Sequence, residues 1–220
     1  MDDVGGMGGD GRGMMKGAEK LWLAVPYLPL AVGLLLLKNA WVATFGFHAA
    51  ILIVLWVHRT RWSPDVLRRG GGWAWLPLIA LLTLAVGVLL VRIAAWYPGY
   101  DRYLRETLCG LGVSGPAMTA LAFYICVVNP VLEEAFWRGL FFEGHRRLAI
   151  PDLAYGGIHV IILLPFMYAH QAVIGAVFLV GLGYVWRMLV RWRKGNALSL
   201  AWHVAADLTI LLVAARIVRG

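Results

Sequence analysis

Residues 117–139, AMTALAFYICVVNPVLEEAFWRG, form an apolar run that ends in a cluster of charge. A helix needs about 20 apolar residues to cross the hydrocarbon core of a bilayer. Glu133, Glu134 and Arg138 stand near the end of this run, and each charge at such depth costs about 2.5–3.5 kcal/mol on insertion scales. Three charges placed so closely together therefore predict a functional site within the membrane.

The composition of the whole chain predicts a membrane protein. Of its 220 residues 61% are hydrophobic, and the mean hydropathy is +0.74, whereas soluble domains are about 45–50% apolar. The net charge of +8 arises from basic residues in short loops, which argues against nucleic acid as a partner and makes the lipid bilayer the expected one. Cys109 and Cys126 have no metal-ligand spacing, and no cofactor is expected.

The apolar runs predict an all-α, polytopic transmembrane helical bundle of about seven spans. We expect these spans at residues 21–37, 40–57, 73–96, 117–139, 153–170, 172–190 and 197–217. Residues 1–20 are rich in Gly and Met and are predicted to be a disordered N-terminus. Residues 21–220 then form a single domain, and prolines are expected to kink its helices at Pro26, Pro29 and Pro165.

The positive charges in the loops predict the orientation of the bundle. Arginines and lysines are concentrated in alternate loops, at 58–72, after Arg138 and after Tyr184. Such loops face the cytoplasm, so we expect a multi-pass protein of the cell inner membrane with a cytoplasmic N-terminus. Arg187 is counted among these orienting charges.

The spacing of the three charges separates two roles. Glu134 and Arg138 are four residues apart and share one helix face, where they can pair. Glu133 is turned about 100° away, which leaves it free to act as a general base in a partly dry cavity. The alternative is a structural ion pair with a spare carboxylate.

Two further clusters of polar groups follow in later spans. His170 shares a face with Phe166, and His159 lies about three turns earlier on nearly the same face. His203 and Asp207 are again four residues apart in the last span. Each of these clusters alone could be a structural pair, but a carboxylate base, two imidazoles and an Asp together are the groups that water activation and oxyanion stabilisation require.

The ordered motifs resemble the CAAX protease and bacteriocin-processing family, which includes type II CAAX prenyl endopeptidases and bacterial intramembrane proteases of the Abi type. The motifs are Glu-Glu-x-x-x-Arg at 133–138, Phe-x-x-x-His at 166–170 and His-x-x-x-Asp at 203–207. The resemblance covers about residues 117–210, the expected catalytic core. It implies a glutamate-dependent intramembrane endopeptidase that acts on a membrane-associated protein or peptide.

The same resemblance implies a role for each motif residue. Glu133 and His170 would activate a water for attack on the scissile carbonyl, and His203 with Asp207 would stabilise the oxyanion. Glu134, Arg138 and Phe166 would support the site, and no metal is needed. Position 207 departs from the prenyl endopeptidases, which usually have Asn there. Because an ionised Asp cannot donate a hydrogen bond, Asp207 must be protonated or must instead orient His203.

The predicted spans place His170 at the opposite end of the membrane from Glu133 and His203, so we expect the fifth span to be short, broken at Pro165 or steeply tilted.

Three other hypotheses about the function remain open. Gly112-Val-Ser114-Gly115 resembles the motif of rhomboid serine proteases, with Ser114 as nucleophile and His170 as its base. Zinc could be held by ligands of suitable type at Glu133, His170, His203 and Asp207. The chain could also be a non-catalytic scaffold or a transporter.

Overall fold

The computed structural model describes residues 17–59 and 63–219, and all regular structure in these ranges is helical. The α-helices are α1 Tyr27–Ala31, α2 Ala40–Val57, α3 Asp65–Arg68, α4 Leu76–Ala95, α5 Tyr100–Gly110, α6 Pro116–Glu133, α7 Ile150–Leu163, α8 Ala169–Arg193 and α9 Ala197–Arg219. Segments of 3₁₀ helix cover Gly17–Ala24 and Trp73–Trp75, and π-helical segments cover Val32–Leu36 and Glu134–Leu140. The predicted all-α class is confirmed.

Six helical segments in the described ranges are long and apolar enough to cross a membrane, which makes the chain a multi-pass membrane protein. They are Glu19–Leu36, Ala40–Val57, Leu76–Ile93, Pro116–Leu140, Ala169–Arg193 and Ala197–Val218. The first of them combines 3₁₀, α- and π-helical turns around Pro26 and Pro29. Residues 1–16 of the expected disordered N-terminus lie outside the described residues, whereas 17–20 belong to the first 3₁₀ turn.

The expected fifth span is replaced by a shorter helix. Helix α7 has 14 residues, about 21 Å of helix, and therefore falls short of the roughly 30 Å hydrocarbon core. It ends at Leu163: Leu164 still has helical backbone angles, but Pro165 has no backbone N–H with which to continue the helical hydrogen bonds. The next helix begins at Ala169, so residues 164–168 form the connection between α7 and α8.

The helices around the charged cluster form a closed ring. Helices α1, α2, α6, α9, α8 and α7 contact one another in this circular order, and α7 completes the circle against α1. Helices α4 and α5 pack outside the ring against α9. The α7–α8 contact is close because Gly156 has no side chain; a Cβ there would lie 2.2 Å from Val180 Cγ2 and 2.7 Å from the Ala176 carbonyl oxygen.

Polar contacts identify the two ends of the bundle. At one end, the backbone N–H of Asn196, between α8 and α9, donates to the Val66 carbonyl at 2.9 Å. At the other end, Arg105 Nη2 of α5 donates to the Val218 carbonyl near the end of α9 at 2.6 Å. Residues 66–69, in the second half of the predicted loop at 58–72, therefore lie on the same side as the α8–α9 turn, as the charge pattern predicted.

Arg187 was predicted to be a loop charge that orients the bundle, but it lies inside α8 and has a structural role there. Only 1% of its surface is exposed, and it forms an ion pair with Asp152 of α7 at 2.8 Å. The same guanidinium donates to the carbonyl oxygens of Glu143, His145 and Arg147 at 2.6–2.7 Å. One buried side chain thus fixes the connection between Leu140 and α7 against α8.

Candidate active site

Glu134 organises the polar interior of the ring. Its side chain is completely buried, and three groups donate to its carboxylate. These donors are Arg138 Nη1 at 3.1 Å, His203 Nδ1 at 3.2 Å and Ser199 Oγ at 2.7 Å. The predicted pairing of Glu134 with Arg138 is therefore found, and it also holds a side chain of α9. A carboxylate with three donors is suited to hold its neighbours in position.

Aromatic rings enclose the charge of Arg138. The guanidinium carbon lies 4.2 Å from the centre of the Tyr155 ring and 5.0 Å from that of Trp186. Cation–π contacts of this kind stabilise a desolvated cation. The His203 ring packs against Trp186 at a centroid distance of 4.6 Å. Helices α7, α8 and α9 thus meet around the segment that begins at Glu134.

The π-helical segment Glu134–Leu140 continues α6 with a wider turn. Such turns are often found at functional sites because they change the direction of side chains within a helix. Here Asn196 Nδ2 donates to the Glu134 carbonyl oxygen at 3.0 Å, and Asn196 is itself fully buried. The start of α9 therefore supports the backbone of the segment as well as its carboxylate.

Glu133 differs from its neighbour in having a free oxygen. Its side chain is buried, and Oε2 receives no hydrogen bond from any described residue. His203 Nε2 lies 3.9 Å from this oxygen, which is beyond hydrogen-bond distance. A water or a substrate oxygen can bridge groups at this separation. Because Glu134 engages Nδ1 of His203, the other ring nitrogen is directed toward Glu133.

Asp207 lies on the other side of His203. Its Oδ1 is 3.7 Å from His203 Nε2, and its Oδ2 accepts a hydrogen bond from Asn129 Nδ2 at 3.1 Å. The i, i+4 spacing in α9 thus places His203 and Asp207 on one face, as predicted. Glu133, His203 and Asp207 converge on one small region inside the ring.

The structure does not bring His170 to this region, which corrects its expected pairing with Glu133. His170 is exposed in the first turn of α8, where its ring stacks on Tyr168 at 5.9 Å. The His203 ring packs on Trp186, 16 residues further along α8 than His170, and so about 24 Å away. Phe166 also lies at the far end of the bundle, where its carbonyl accepts from Tyr100 Oη at 3.3 Å.

His159 of α7 is the second histidine that the fold brings close to the site. Its ring contacts that of Tyr155 at 4.7 Å, and the Tyr155 ring contacts that of His203 at 6.3 Å. His159 Nδ1 donates to the Tyr155 carbonyl at 2.6 Å. The sequence held a signal for this position, because Tyr155-x-x-x-His159 repeats the spacing of an aromatic residue and a histidine.

Several other side chains at the site were missed by sequence reasoning. They are polar residues on helices whose contacts depend on tertiary packing: Ser199 and Asn196 beside Glu134, and Asn129, His48 and Tyr124 beyond Asp207. The Asn of Asn129-Pro130 precedes the glutamates by one helical turn. That spacing was the one available sign that Asn129 shares their environment.

The geometry gives little support to the two other protease hypotheses, a serine nucleophile at Ser114 and a zinc site. Ser114 is exposed in the turn before α6, and its hydroxyl has no hydrogen bond to a histidine among the described residues. Within residues 17–59 and 63–219, no three His, Cys, Asp or Glu side chains are arranged to hold a metal ion. The described residues therefore do not form a preformed zinc site.

Comparison with known protein families agrees with the motifs. Residues 115–209 match the family model described as type II CAAX prenyl endopeptidase Rce1-like. Over this stretch the chain is similar to the CAAX protease family that the motifs predicted. The matched residues include Glu133, His159, His203 and Asp207, so the whole converging group lies inside the family region. No curated protein and no solved structure matches the chain.

Proposed function

We propose that this protein is an intramembrane endopeptidase in which Glu133 is the general base. The single observation that carries the proposal is the pair of adjacent glutamates with opposite surroundings. Glu134 receives three hydrogen bonds, whereas Glu133 Oε2 is buried, has no donor among residues 17–59 and 63–219, and faces His203 Nε2 at 3.9 Å. A buried carboxylate with a free oxygen beside a fixed imidazole is equipped to take a proton from water.

The proposed reaction is direct attack by water on a peptide carbonyl. Glu133 removes one proton from the water as its oxygen bonds to the carbonyl carbon, and the carbonyl oxygen becomes an oxyanion. Glu133 then gives the proton to the amide nitrogen as the C–N bond breaks. The products are a carboxylate and an amine, and no covalent enzyme intermediate forms. His159, rather than His170, is the second imidazole that helps to orient the water.

His203 is proposed to stabilise the oxyanion. Glu134 engages Nδ1, so donation from Nε2 to an oxyanion requires the doubly protonated ring, in which both nitrogens are donors. The carboxylates of Glu133, Glu134 and Asp207 surround the ring and balance that charge. Arg138 and Ser199 act through Glu134 and are proposed as positioning residues.

The proposed substrate is a membrane-associated protein or peptide that is cut close to the cytoplasmic face. Glu133 lies near the end of a membrane span, on the side that carries the basic loops. A peptide anchored in the bilayer by a lipid or an apolar helix would present its backbone at this depth. The family description names prenyl endopeptidases, so a prenylated C-terminal peptide is the first candidate to test. We also propose that the protein lies in the cell inner membrane with a cytoplasmic N-terminus.

The proposal is tested by cleavage in proteoliposomes. Fluorogenic prenylated peptides and tagged single-span membrane peptides are offered to the parent protein, Glu133→Gln and Ser114→Ala, with and without EDTA. We expect cleavage by the parent and by Ser114→Ala, no cleavage by Glu133→Gln, and no effect of EDTA. Loss of activity in Ser114→Ala would support a serine protease instead, and inhibition by EDTA would support a metal mechanism.

A further inference from the structure

The oxyanion side of the site lacks an amide at position 207, where the prenyl endopeptidases usually have Asn. An ionised carboxylate accepts hydrogen bonds but cannot donate one. Asp207 therefore cannot fill the role of a donor unless it is protonated. The fold places an amide at the same location from a different helix, because Asn129 Nδ2 of α6 lies 3.1 Å from Asp207 Oδ2.

A chain of hydrogen bonds fixes the orientation of this amide. Asn129 Oδ1 lies 3.0 Å from His48 Nε2, and His48 Nδ1 lies 2.9 Å from Tyr124 Oη. Because the amide oxygen of Asn129 can only accept, the hydrogen of a neutral His48 ring lies on Nε2, and Nδ1 then accepts from the Tyr124 hydroxyl. The NH₂ group of Asn129 is therefore directed to Asp207 and not away from it.

His48 is well placed to hold this orientation. Its side chain is only 2% exposed and lies in α2, on the opposite side of α6 from α9 in the ring. A buried imidazole whose two nitrogens are both engaged cannot turn without losing both bonds. The amide of Asn129 is thus held between a donor on α2 and an acceptor on α9, and its direction does not depend on the substrate.

The amide has a second N–H that no described residue accepts. An NH₂ group carries two donors in one plane, and the contact with Asp207 uses one of them. Asp207 Oδ1 is 3.7 Å from His203 Nε2, which places the amide beside the region between Glu133 and His203. A preorganised N–H donor at such a place is the usual means of stabilising an oxyanion.

We propose that Asn129 is a further catalytic residue, whose amide donates a hydrogen bond to the oxyanion of the tetrahedral intermediate while Asp207 and His48 hold the amide in place. This assignment rests on the proposed endopeptidase activity. Asp207 then acts as a positioning residue that accepts from Asn129. In this protein, the pair of Asn129 on α6 and Asp207 on α9 would supply the amide donor that a single Asn at position 207 would otherwise supply.

The test is a set of substitutions that move the amide between the two positions. The parent, Asn129→Ala, Asp207→Asn, the double variant Asn129→Ala with Asp207→Asn, and the exchanged pair Asn129→Asp with Asp207→Asn are assayed for kcat, KM and Tm in detergent. Asn39→Asp, at the start of α2, makes the same chemical change outside the site and serves as the control.

We expect Asn129→Ala to lower kcat by about 10²–10³-fold, the cost of one oxyanion donor, with little change in KM. Asp207→Asn should restore most of that loss in the double variant, because the amide then comes from position 207. The exchanged pair keeps one amide and one carboxylate in contact and should stay folded, within about 10-fold of the parent kcat. A purely structural role for Asn129 would give no rescue of kcat by Asp207→Asn.

Three results would overturn the assignment: a parental kcat in Asn129→Ala, a folded double variant no faster than Asn129→Ala, or a folded but inactive exchanged pair. Glu133→Gln in the same assay separates the two proposals. If the parent cleaves and Glu133→Gln does not, the endopeptidase proposal stands and the Asn129 results concern the amide alone. If Glu133→Gln cleaves at the parental rate, the proposed mechanism and this assignment both fail.

Discussion

Glu133→Gln and Glu134→Gln make the same chemical change at neighbouring positions, and the structure predicts different effects on stability. Glu134 is completely buried and receives hydrogen bonds from Arg138, Ser199 and His203. Glu133 Oε2 is also buried but receives none from the described residues. Loss of the charge at 134 therefore breaks a network, whereas loss of the charge at 133 removes a desolvated carboxylate oxygen that has no donor.

The difference in stability between the two variants follows from Arg138, which stays buried without its carboxylate partner when Glu134 is replaced. Arg138 has only 2% of its side chain exposed, and removal of one partner of a buried ion pair costs about 3–5 kcal/mol. At 2–4 °C per kcal/mol for a chain of this size, Glu134→Gln should lower Tm by about 6–20 °C. Glu133→Gln should leave Tm within about 3 °C of the parent or raise it, because no hydrogen bond to Oε2 is lost.

The measurement is thermal unfolding in one detergent, followed by tryptophan fluorescence, together with the cleavage rate of each variant at a temperature where both are folded. Glu106→Gln, on the exposed face of α5, is the matched control and should match the parent in both assays. We expect Glu133→Gln to lose about 10²–10⁴-fold in kcat, the contribution of a general base, without loss of stability. If Glu133→Gln and Glu134→Gln destabilise the protein equally, the separation of a catalytic from a structural glutamate is wrong.

Three further predictions concern the surroundings of the site. His159→Gln should lower kcat by about 10²-fold, and His170→Gln should not change it; the reverse pattern in cleavage assays would restore the role first expected for His170. Gly156→Ala should lower the stability of the α7–α8 pair by about 1–3 kcal/mol through overpacking, and Gly181→Ala, where a Cβ meets nothing within 4 Å, should not; equal Tm values would contradict the close contact. Arg187→Met should cost about 3–5 kcal/mol because its carboxylate partner stays buried, and a parental Tm would show that the pair is dispensable.

The all-α class, the motif at 133–138 and the motif at 203–207 could be predicted because each depends on the local spacing of residues. Glu134 and Arg138 are four residues apart on α6 and its π-helical extension, and they form the expected pair. His203 and Asp207 have the same spacing on α9 and lie on the same face. Within one continuous helix, the rotation per residue decides which side chains are neighbours, whatever the rest of the fold does.

The middle motif could not be assigned from spacing because the helix that was expected to carry it ends early. His159 and His170 lie on nearly the same face only if α7 continues through Pro165, and α7 ends at Leu163. The chain then turns, and His170 lies in the first turn of α8, at the end of the bundle far from Glu133 and His203. Two aromatic-x-x-x-His patterns occur in this region, and the choice between them depends on how α7 packs against α8.

The contacts of Asn129 were also beyond sequence reasoning. The bond to Asp207 joins positions 78 residues apart, and the bond to His48 joins positions 81 residues apart. Each requires α6 to lie between α2 and α9 in the ring. No local pattern encodes that arrangement, because many helix orders would bury the same apolar faces.

The central claim is that Glu133 activates the water, and one ratio tests it most directly. It is kcat/KM for Glu133→Gln divided by kcat/KM for Glu106→Gln, measured in proteoliposomes on one membrane-anchored peptide that the parent cleaves, with both variants shown to be folded. The account predicts a ratio of about 10⁻² or lower. A ratio near one would show that the reaction proceeds without this carboxylate and would contradict the account.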